Sequence, residues 1–432
     1  MKPIFIRLNR SLLIIASTLA CSRPGVMQSG ECVAVGWGEM SPLAGETFSG
    51  SYVESPELLF TGDMAWLVGA PLLVWDTAGG IATVKSGDSL SVHFAAARIT
   101  TNPEESVLRL DEVVPLPGGV WRMAHVKAAP QPNGAIAFAF VIPETPGTTN
   151  ATSRQEVMSS SWSRNSWTTP RPVLEAEASA DWSSVTVSSV SSVNKTPTAV
   201  VSGSRASRGA LFFLTATNDG WKAKAVRQSR RLYPQMTASS TRGELVIAFV
   251  DADPVTGIAT VFVTRAANEG DSIGVPKQVL PRSSFPAYSP QLLRISESTI
   301  ALLWLERRGV TQLVRLFTSL DDGLTWQGQD SLPVPFETNR VSAVSSQGKL
   351  LHIVMAEEGS KKERLLIGSW NRAWSVHEWR QAGQIVGYPA IARWHSGLVL
   401  LWSEMAELTR NDDLPRTHYR IGKASCSSRL TE

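Results

Sequence analysis

Short, almost wholly apolar runs recur about every fifty residues in the second half of this chain, and that recurrence limits the available folds more than any other feature. Residues 245–250 (LVIAFV), 300–305 (IALLWL), 351–356 (LHIVMA) and 398–403 (LVLLWS) begin 55, 51 and 47 residues apart. Each run is too short for an ordinary buried helix, and glycine-rich sequence and β-branched content point to strands. Their apolar character is continuous rather than alternating, as expected of strands covered on both faces. Earlier runs at 71–75, 135–141 and 198–202 bring the count to seven.

A chain of 432 residues would ordinarily hold two or three domains, but a single repeat array can absorb the same length. Its 15 tryptophans, 32 glycines and 25 prolines suit many short strands joined by tight turns. A unit of about fifty residues with several short strands is the size of a β-propeller blade. A second register agrees. Residues 318–326 read TSLDDGLTW, and Ser319, Asp321, Gly323, Thr325 and Trp326 fill every specified position of the pattern S-x-D-x-G-x-T-W. Weaker copies place Ser163, Asn218, Asn268 and Asn371 at the position of Asp321, so that the units advance by 55, 50, 53 and 50 residues. Such a segment suits a turn: Asp and Ser accept local backbone N–H bonds, and Gly takes positive φ.

The segment resembles the Asp-box (BNR) repeat of the sialidase-like β-propellers. The resemblance implies an all-β chain forming a single β-propeller of four-stranded blades, with the box as a structural hairpin turn between the two outer strands, on the rim away from the active site. It argues for six blades, whereas the local period argues for seven and is preferred. The last unit, about 387–423, has room for three strands only. An N-terminal strand around 32–38 supplies the fourth, closing the ring and removing two sheet edges.

At the N-terminus, Lys2, Arg7 and Arg10 precede a ten-residue apolar run, SLLIIASTLA. It is too short to span a bilayer and reads as a signal peptide over residues 1–20. Cys21 is then the first residue of an exported lipoprotein, or the chain is cleaved after Ala20 without lipid. Residues 21–31 form a short tether and 32–432 the propeller. The chain has three cysteines. If Cys21 carries lipid, Cys32 and Cys426 remain as a disulfide pair tying the two ends of the domain, worth about 4–5 kcal/mol by the chain-entropy model. Charged residues make up 18% with net charge +3, and no basic stripe points to nucleic acid. The only membrane attachment expected is the lipid, and the protein is expected to be a monomer in a bacterial cell envelope, as an outer-membrane lipoprotein or a periplasmic or secreted protein.

Ligands of a propeller meet the funnel at one end of its axis, and the repeat says which residues lie there. Four successive second strands finish on an acid, Asp251, Glu306, Glu357 and Glu404, with Asp76 as the equivalent in the first unit. The inner strands open on Tyr233, Tyr288, Asn339-Arg340 and Tyr388, and Arg307 and Arg308 follow Glu306. Tyrosine stacks on a sugar ring while its hydroxyl hydrogen-bonds, so these residues are candidates for binding a glycan or an envelope protein. The competing reading is that each acid satisfies backbone donors and each tyrosine starts a strand.

Sialidases hold their substrate's carboxylate with three arginines and use a tyrosine nucleophile beside a glutamate. The diagnostic Arg-Ile-Pro of the first blade is missing here. No arginine lies between Arg23 and Arg98, and the pairs Arg98-Ile99, Arg294-Ile295 and Arg420-Ile421 do not precede proline. No catalytic role is therefore carried over. The six histidines have no metal-ligand spacing, His352 reads as a core residue, and no cofactor motif is present. The expectation is a non-catalytic binding propeller. The alternatives are a divergent glycoside hydrolase with two funnel carboxylates, about 5–5.5 Å apart if retaining or about 6.5–9.5 Å if inverting, and a structural member of an envelope assembly.

Overall fold

The computed structural model describes residues 34–42, 57–61, 64–69, 95–102, 107–115, 126–130, 136–143, 155–163, 166–169, 171–173, 184–193, 196–205, 208–217, 220–229, 236–241, 244–267, 272–281, 284–346, 350–358, 363–380, 384–394, 397–405 and 416–425. Among them there is no helix, and the strands form seven antiparallel sheets in chain order. The first sheet holds Glu57–Thr61, Met64–Gly69, Ala95–Asn102 and Val107–Pro115. The second holds Val126–Pro130, Ile136–Pro143 and Gln155–Ser163, with a fourth strand split into Ser166–Trp167 and Arg171–Pro172. The third holds Ser184–Val193, Thr196–Arg205, Arg208–Thr217 and Gly220–Ser229. The fourth holds Met236–Thr241, Glu244–Ala252 and Ala259–Ala267, again with a split edge of Ser272–Ile273 and Lys277–Gln278. The fifth holds Ala287–Arg294, Ile300–Arg308, Thr311–Ser319 and Gln327–Val334. The sixth holds Ser342–Ser345, Leu351–Ala356, Arg364–Trp370 and Trp374–Arg380. The seventh holds Gln384–Trp394, Gly397–Met405 and Arg416–Ser425.

The seventh sheet is completed from the other end of the chain. Ala34–Trp37 pairs with Arg416–Ser425 in the register Ala34↔Ser425 to Trp37↔Gly422, and Ser41 pairs with Tyr419 further along. The first strand of each sheet touches the first strand of the next, and that of the seventh touches that of the first. A closed circle of inner strands with three further strands running outward from each is a β-propeller. The first sheet's second strand is Met64–Gly69, whereas the apolar run expected there, 71–75, lies outside the described residues.

The continuous apolar runs are explained by where alternate residues go. In the fourth sheet, Leu245, Ile247 and Phe249 pack toward the third sheet with Leu211 and Phe213. Val246, Ala248 and Val250 pack toward the fifth with Ile300, Leu302 and Trp304. The fifth sheet's Ala301, Leu303 and Leu305 meet Leu351, Ile353 and Met355 of the sixth. Val354 and Ala356 of the sixth meet Leu398, Leu400 and the fully buried Trp402 of the seventh. Successive side chains point to opposite faces of a strand, so a second strand sandwiched between two neighbours must be apolar at every position. Each fully buried Leu, Ile or Val contributes about 1.5–3 kcal/mol. The core is thus a series of layers between the sheets.

The segment around Asp321 joins the third and fourth strands of the fifth sheet. Ser319 Oγ accepts from Gly323 N at 2.7 Å and donates to Asp321 Oδ1 at 2.8 Å. Asp321 accepts from Thr325 N at 2.9 Å and from Thr325 Oγ1 at 2.6 Å. Gly323 has φ +87°, and a Cβ on it would come within 3.1–3.2 Å of both methyls of Val246, so glycine is needed for conformation and for contact with the preceding sheet. Trp326 packs into that same interface. In the sequence the four weaker copies fall where the third and fourth strands of the second, third, fourth and sixth sheets meet. Trp221, in the copy of the third sheet, likewise reaches back a sheet, its Nε1 donating to Ser159 Oγ at 2.8 Å.

Candidate functional site

The end of the ring at which the second strands finish is also where the chain passes from one sheet to the next. Asp251 is fully buried there. It accepts from Arg227 Nε, Ser229 Oγ and Ala252 N, each at 2.8 Å, and so ties the edge strand of the third sheet to the fourth. Glu306, with 1% of its side chain exposed, lies 2.7 Å from Arg308 Nε and 3.6 Å from Arg315 Nε. Arg308 in turn covers the Phe285 ring at 4.8 Å. Glu357 accepts from Arg364 Nη2 at 2.6 Å, and this bond holds its carboxyl below the usual glutamate range. Glu404 is buried and accepts from Trp402 Nε1 at 3.4 Å. All four acids therefore stand at equivalent positions, and each is engaged by the protein's own donors. Asp253, just past Asp251, is held down to about 2, chiefly by the backbone N–H of Thr256, as the centre of a tight loop.

A different set forms a continuous surface across the fifth, sixth and seventh sheets. Arg307 lies over the Tyr288 ring with Cζ 5.9 Å from the centroid, and its Nη2 donates to Glu337 Oε1 at 2.7 Å. Both partners of that ion pair are substantially exposed, Arg307 at 43% and Glu337 at 61%. The Glu337 carbonyl accepts from Glu358 N at 2.7 Å. The Glu358 carboxylate accepts from the backbone and side chain of Asn339. Next in the chain, Arg340 lies over the Tyr388 ring at 5.3 Å. The path from Tyr288 to Tyr388 thus joins residues 100 positions apart through contacts in space. Tyr288 is half-buried, and its hydroxyl donates to the Thr338 carbonyl at 3.3 Å. Burial pushes that hydroxyl above its ordinary range, Arg307 opposes the shift, and Glu337 and Glu358 add to it, so the group is a neutral phenol at physiological pH. Its strand bulges at this point, where Ser289 has φ 51°.

Of the residues expected from sequence, Tyr288, Arg307, Arg340 and Tyr388 are brought together. Asp251, Glu306, Glu357 and Glu404 are individually tied by protein donors. Tyr233, Asp76, Cys21, Cys32 and Cys426 lie outside the described residues. Tyr288 and Glu306 do not form a couple. Ala287 pairs with Glu306 and Tyr288 with Leu305, so the tyrosine and the acid point to opposite faces of the sheet. Glu337, Thr338 and Glu358 were missed, although Thr338 adjoins Asn339 and Glu358 adjoins Glu357, both of which were singled out. Among the described residues no three His, Cys, Asp or Glu side chains converge as metal ligands would.

His352 is fully buried in the sixth sheet, with Nε2 on Ser346 Oγ and Nδ1 on Ser369 Oγ, both at 2.8 Å. Burial brings its pKa from the ordinary 6.5 down to about 4. Below pH 6.5 the unfolded chain takes up a proton that the folded chain refuses until about pH 4. Stability from this group is present above pH 6.5 and is lost as the pH falls toward 4, by about 3 kcal/mol in all. Urea melts at pH 7 and pH 4.5 are expected to differ less in His352→Gln than in the parent.

The ring of outward-running sheets defines an all-β propeller. No known protein family matches the chain, and no curated protein matches its sequence. Solved structures match its fold. The polysaccharide lyase Uly1 is 9% identical with a TM-score of 0.52, over 86% of this chain and 90% of that one. A PL25 ulvan lyase bound to -[GlcA(1-4)Rha3S]- is 8% identical with a TM-score of 0.51, over 90% of this chain and 94% of that one. The NanB sialidase from Streptococcus pneumoniae is 11% identical with a TM-score of 0.45, over 90% of this chain and 70% of that one. At such identities the similarity is one of fold.

Proposed function

We propose that this protein binds a glycan at the mouth formed by its fifth to seventh sheets, and that it performs no chemistry on it. The observation that carries the reading is the path from Tyr288 through Arg307, Glu337, Glu358, Asn339 and Arg340 to Tyr388. It offers two tyrosine rings, each flanked by a guanidinium, with hydrogen-bonding groups between them. Aromatic faces supply apolar contact to a sugar ring, and the polar groups fix its orientation. The binding role, rather than hydrolysis, is favoured because Glu306 is spent on two arginines and the Tyr288 hydroxyl on a carbonyl. Two neighbours of the same fold named as polysaccharide lyases also support a carbohydrate ligand.

Calorimetric titration with an oligosaccharide panel tests this. Tyr288→Ala is expected to weaken binding by the folded protein about tenfold or more, equivalent to about 1.4 kcal/mol, beside the stability lost on truncating a half-buried ring. Unchanged affinity in that variant, or release of sugar from a glycoside at an enzymatic rate, would overturn the reading.

The same proposal includes export through residues 1–20, lipidation at Cys21 and a Cys32–Cys426 disulfide. The pairing of Ala34 with Ser425 supports the last, since in the sequence Cys32 comes two residues before Ala34 and Cys426 directly after Ser425. Intact mass of the mature protein is expected to show a diacyl- or triacylglyceryl addition. Thiol labelling is expected to reach two cysteines only after reduction.

A further inference from the structure

We infer that the glycan bound at this mouth is uncharged, a hydroxyl-rich neutral oligosaccharide rather than a uronate, sialate or sulfate. The inference rests on the preceding reading of the mouth as a glycan site and concerns which glycan enters it.

Among the described residues, the charge of the mouth is compensated internally. Arg307 is on Glu337 at 2.7 Å. Arg308 and Arg315 share Glu306 at 2.7 and 3.6 Å. Arg364 is shared between Glu357 at 2.6 Å and Glu378 at 3.5 Å. Arg340 has its guanidinium over Tyr388 and further interactions besides. A carboxylate or sulfate ligand needs guanidinium or ammonium groups aimed at it in excess of the local acids. Here Arg307 already has Glu337 as its counter-charge, so an added anion would leave the pair with excess negative charge. It would also come beside Glu358, whose carboxylate is held by the neutral Asn339. Both acids lie on the path between the two tyrosines, so an anion seated between the rings meets like charge.

A sugar hydroxyl has the opposite requirements. It donates once and accepts twice, and an exposed Arg–Glu pair presents both complements side by side. Vicinal hydroxyls can accept from the outer N–H groups of Arg307 while donating to the free lone pairs of Glu337, leaving the ion pair intact. Tyr288 and Tyr388 then provide the ring faces. Binding of this kind has no net charge to screen, so its affinity depends little on ionic strength, unlike that of an anion held by cations.

The test is calorimetry on the full-length mature protein with neutral gluco-, manno- and N-acetylglucosamine oligosaccharides and with uronate- and sulfate-bearing ones. Each titration is run at low and at high salt. The expected result is binding of a neutral glycan that changes by less than about threefold between about 0.05 and 0.5 M NaCl. The double variant Glu337→Gln, Glu358→Gln is expected to gain measurable affinity for the acidic glycans. Wild-type preference for an acidic glycan, lost about tenfold or more at high salt, overturns the inference and leaves the mouth standing as a glycan site. Acidic glycans that remain excluded from the double variant also overturn it, because charge is then not what excludes them. Failure of every glycan to bind overturns both this inference and the proposed function.

Discussion

Deleting residues 34–42 is expected to abolish the cooperative melting transition of the whole propeller, although these residues are remote from the candidate site. The seventh sheet would keep three strands and bare the edge of Arg416–Ser425. It would also lose Gly38 N donating to Ile421 O at 2.9 Å and the edge-on contact of Trp37 with Trp379 at 5.8 Å. A ladder, an aromatic contact and a newly exposed strand edge together amount to on the order of 5 kcal/mol, comparable to the whole net stability of many domains. Calorimetric melting of the truncated protein is the check, with Trp37→Ala as a milder companion costing about 2 kcal/mol. A truncated protein that melts as the parent does would mean the ring is not held shut by this strand.

The second large effect concerns the buried acids. Asp251→Ala is expected to cost about 2–3 kcal/mol, and Glu306→Ala a similar amount, because each leaves donors inside the protein without their acceptor. The figure is set at the low end for a buried pair because Arg227 is 38% and Arg308 39% exposed and can turn to water. Oligosaccharide affinity of the folded fraction is expected to stay within about twofold of wild type, since neither carboxylate lies on the path from Tyr288 to Tyr388. A variant of either acid that keeps its melting temperature but loses binding or an activity would return that acid to the functional set.

These expectations separate what one chain reveals about its fold from what it reveals about its site. The fold was legible because propeller strands obey a strict rule: a second strand pressed between two sheets must be apolar at every position, so 245–250, 300–305, 351–356 and 398–403 declare themselves. The turn around Asp321 was legible for a similar reason, as every specified residue has a local bond or a steric duty. The first sheet was less so, since its second strand is Met64–Gly69 and the more conspicuous apolar run follows it. The acids at 251, 306, 357 and 404 were found by the same period. Periodicity marks what each unit needs, and these carboxylates serve as local tie-points. Which arginine lies over which tyrosine is set by how neighbouring sheets are stacked, and no spacing in the chain encodes that. Glu337 and Glu358 were overlooked near Arg340 and Glu357 for that reason. Tyr288 and Glu306 looked like a couple because they fall near each other in the ladder. An offset of one residue puts them on opposite faces.

A crystal structure of the protein with a neutral oligosaccharide bound is expected to show a sugar ring against Tyr288 or Tyr388, hydroxyls on Arg307 and Glu337, Glu306 still paired with Arg308, and an intact glycosidic bond. A ligand seated on another part of the ring, or a cleaved sugar with a freed carboxylate beside the scission point, would contradict the proposed function.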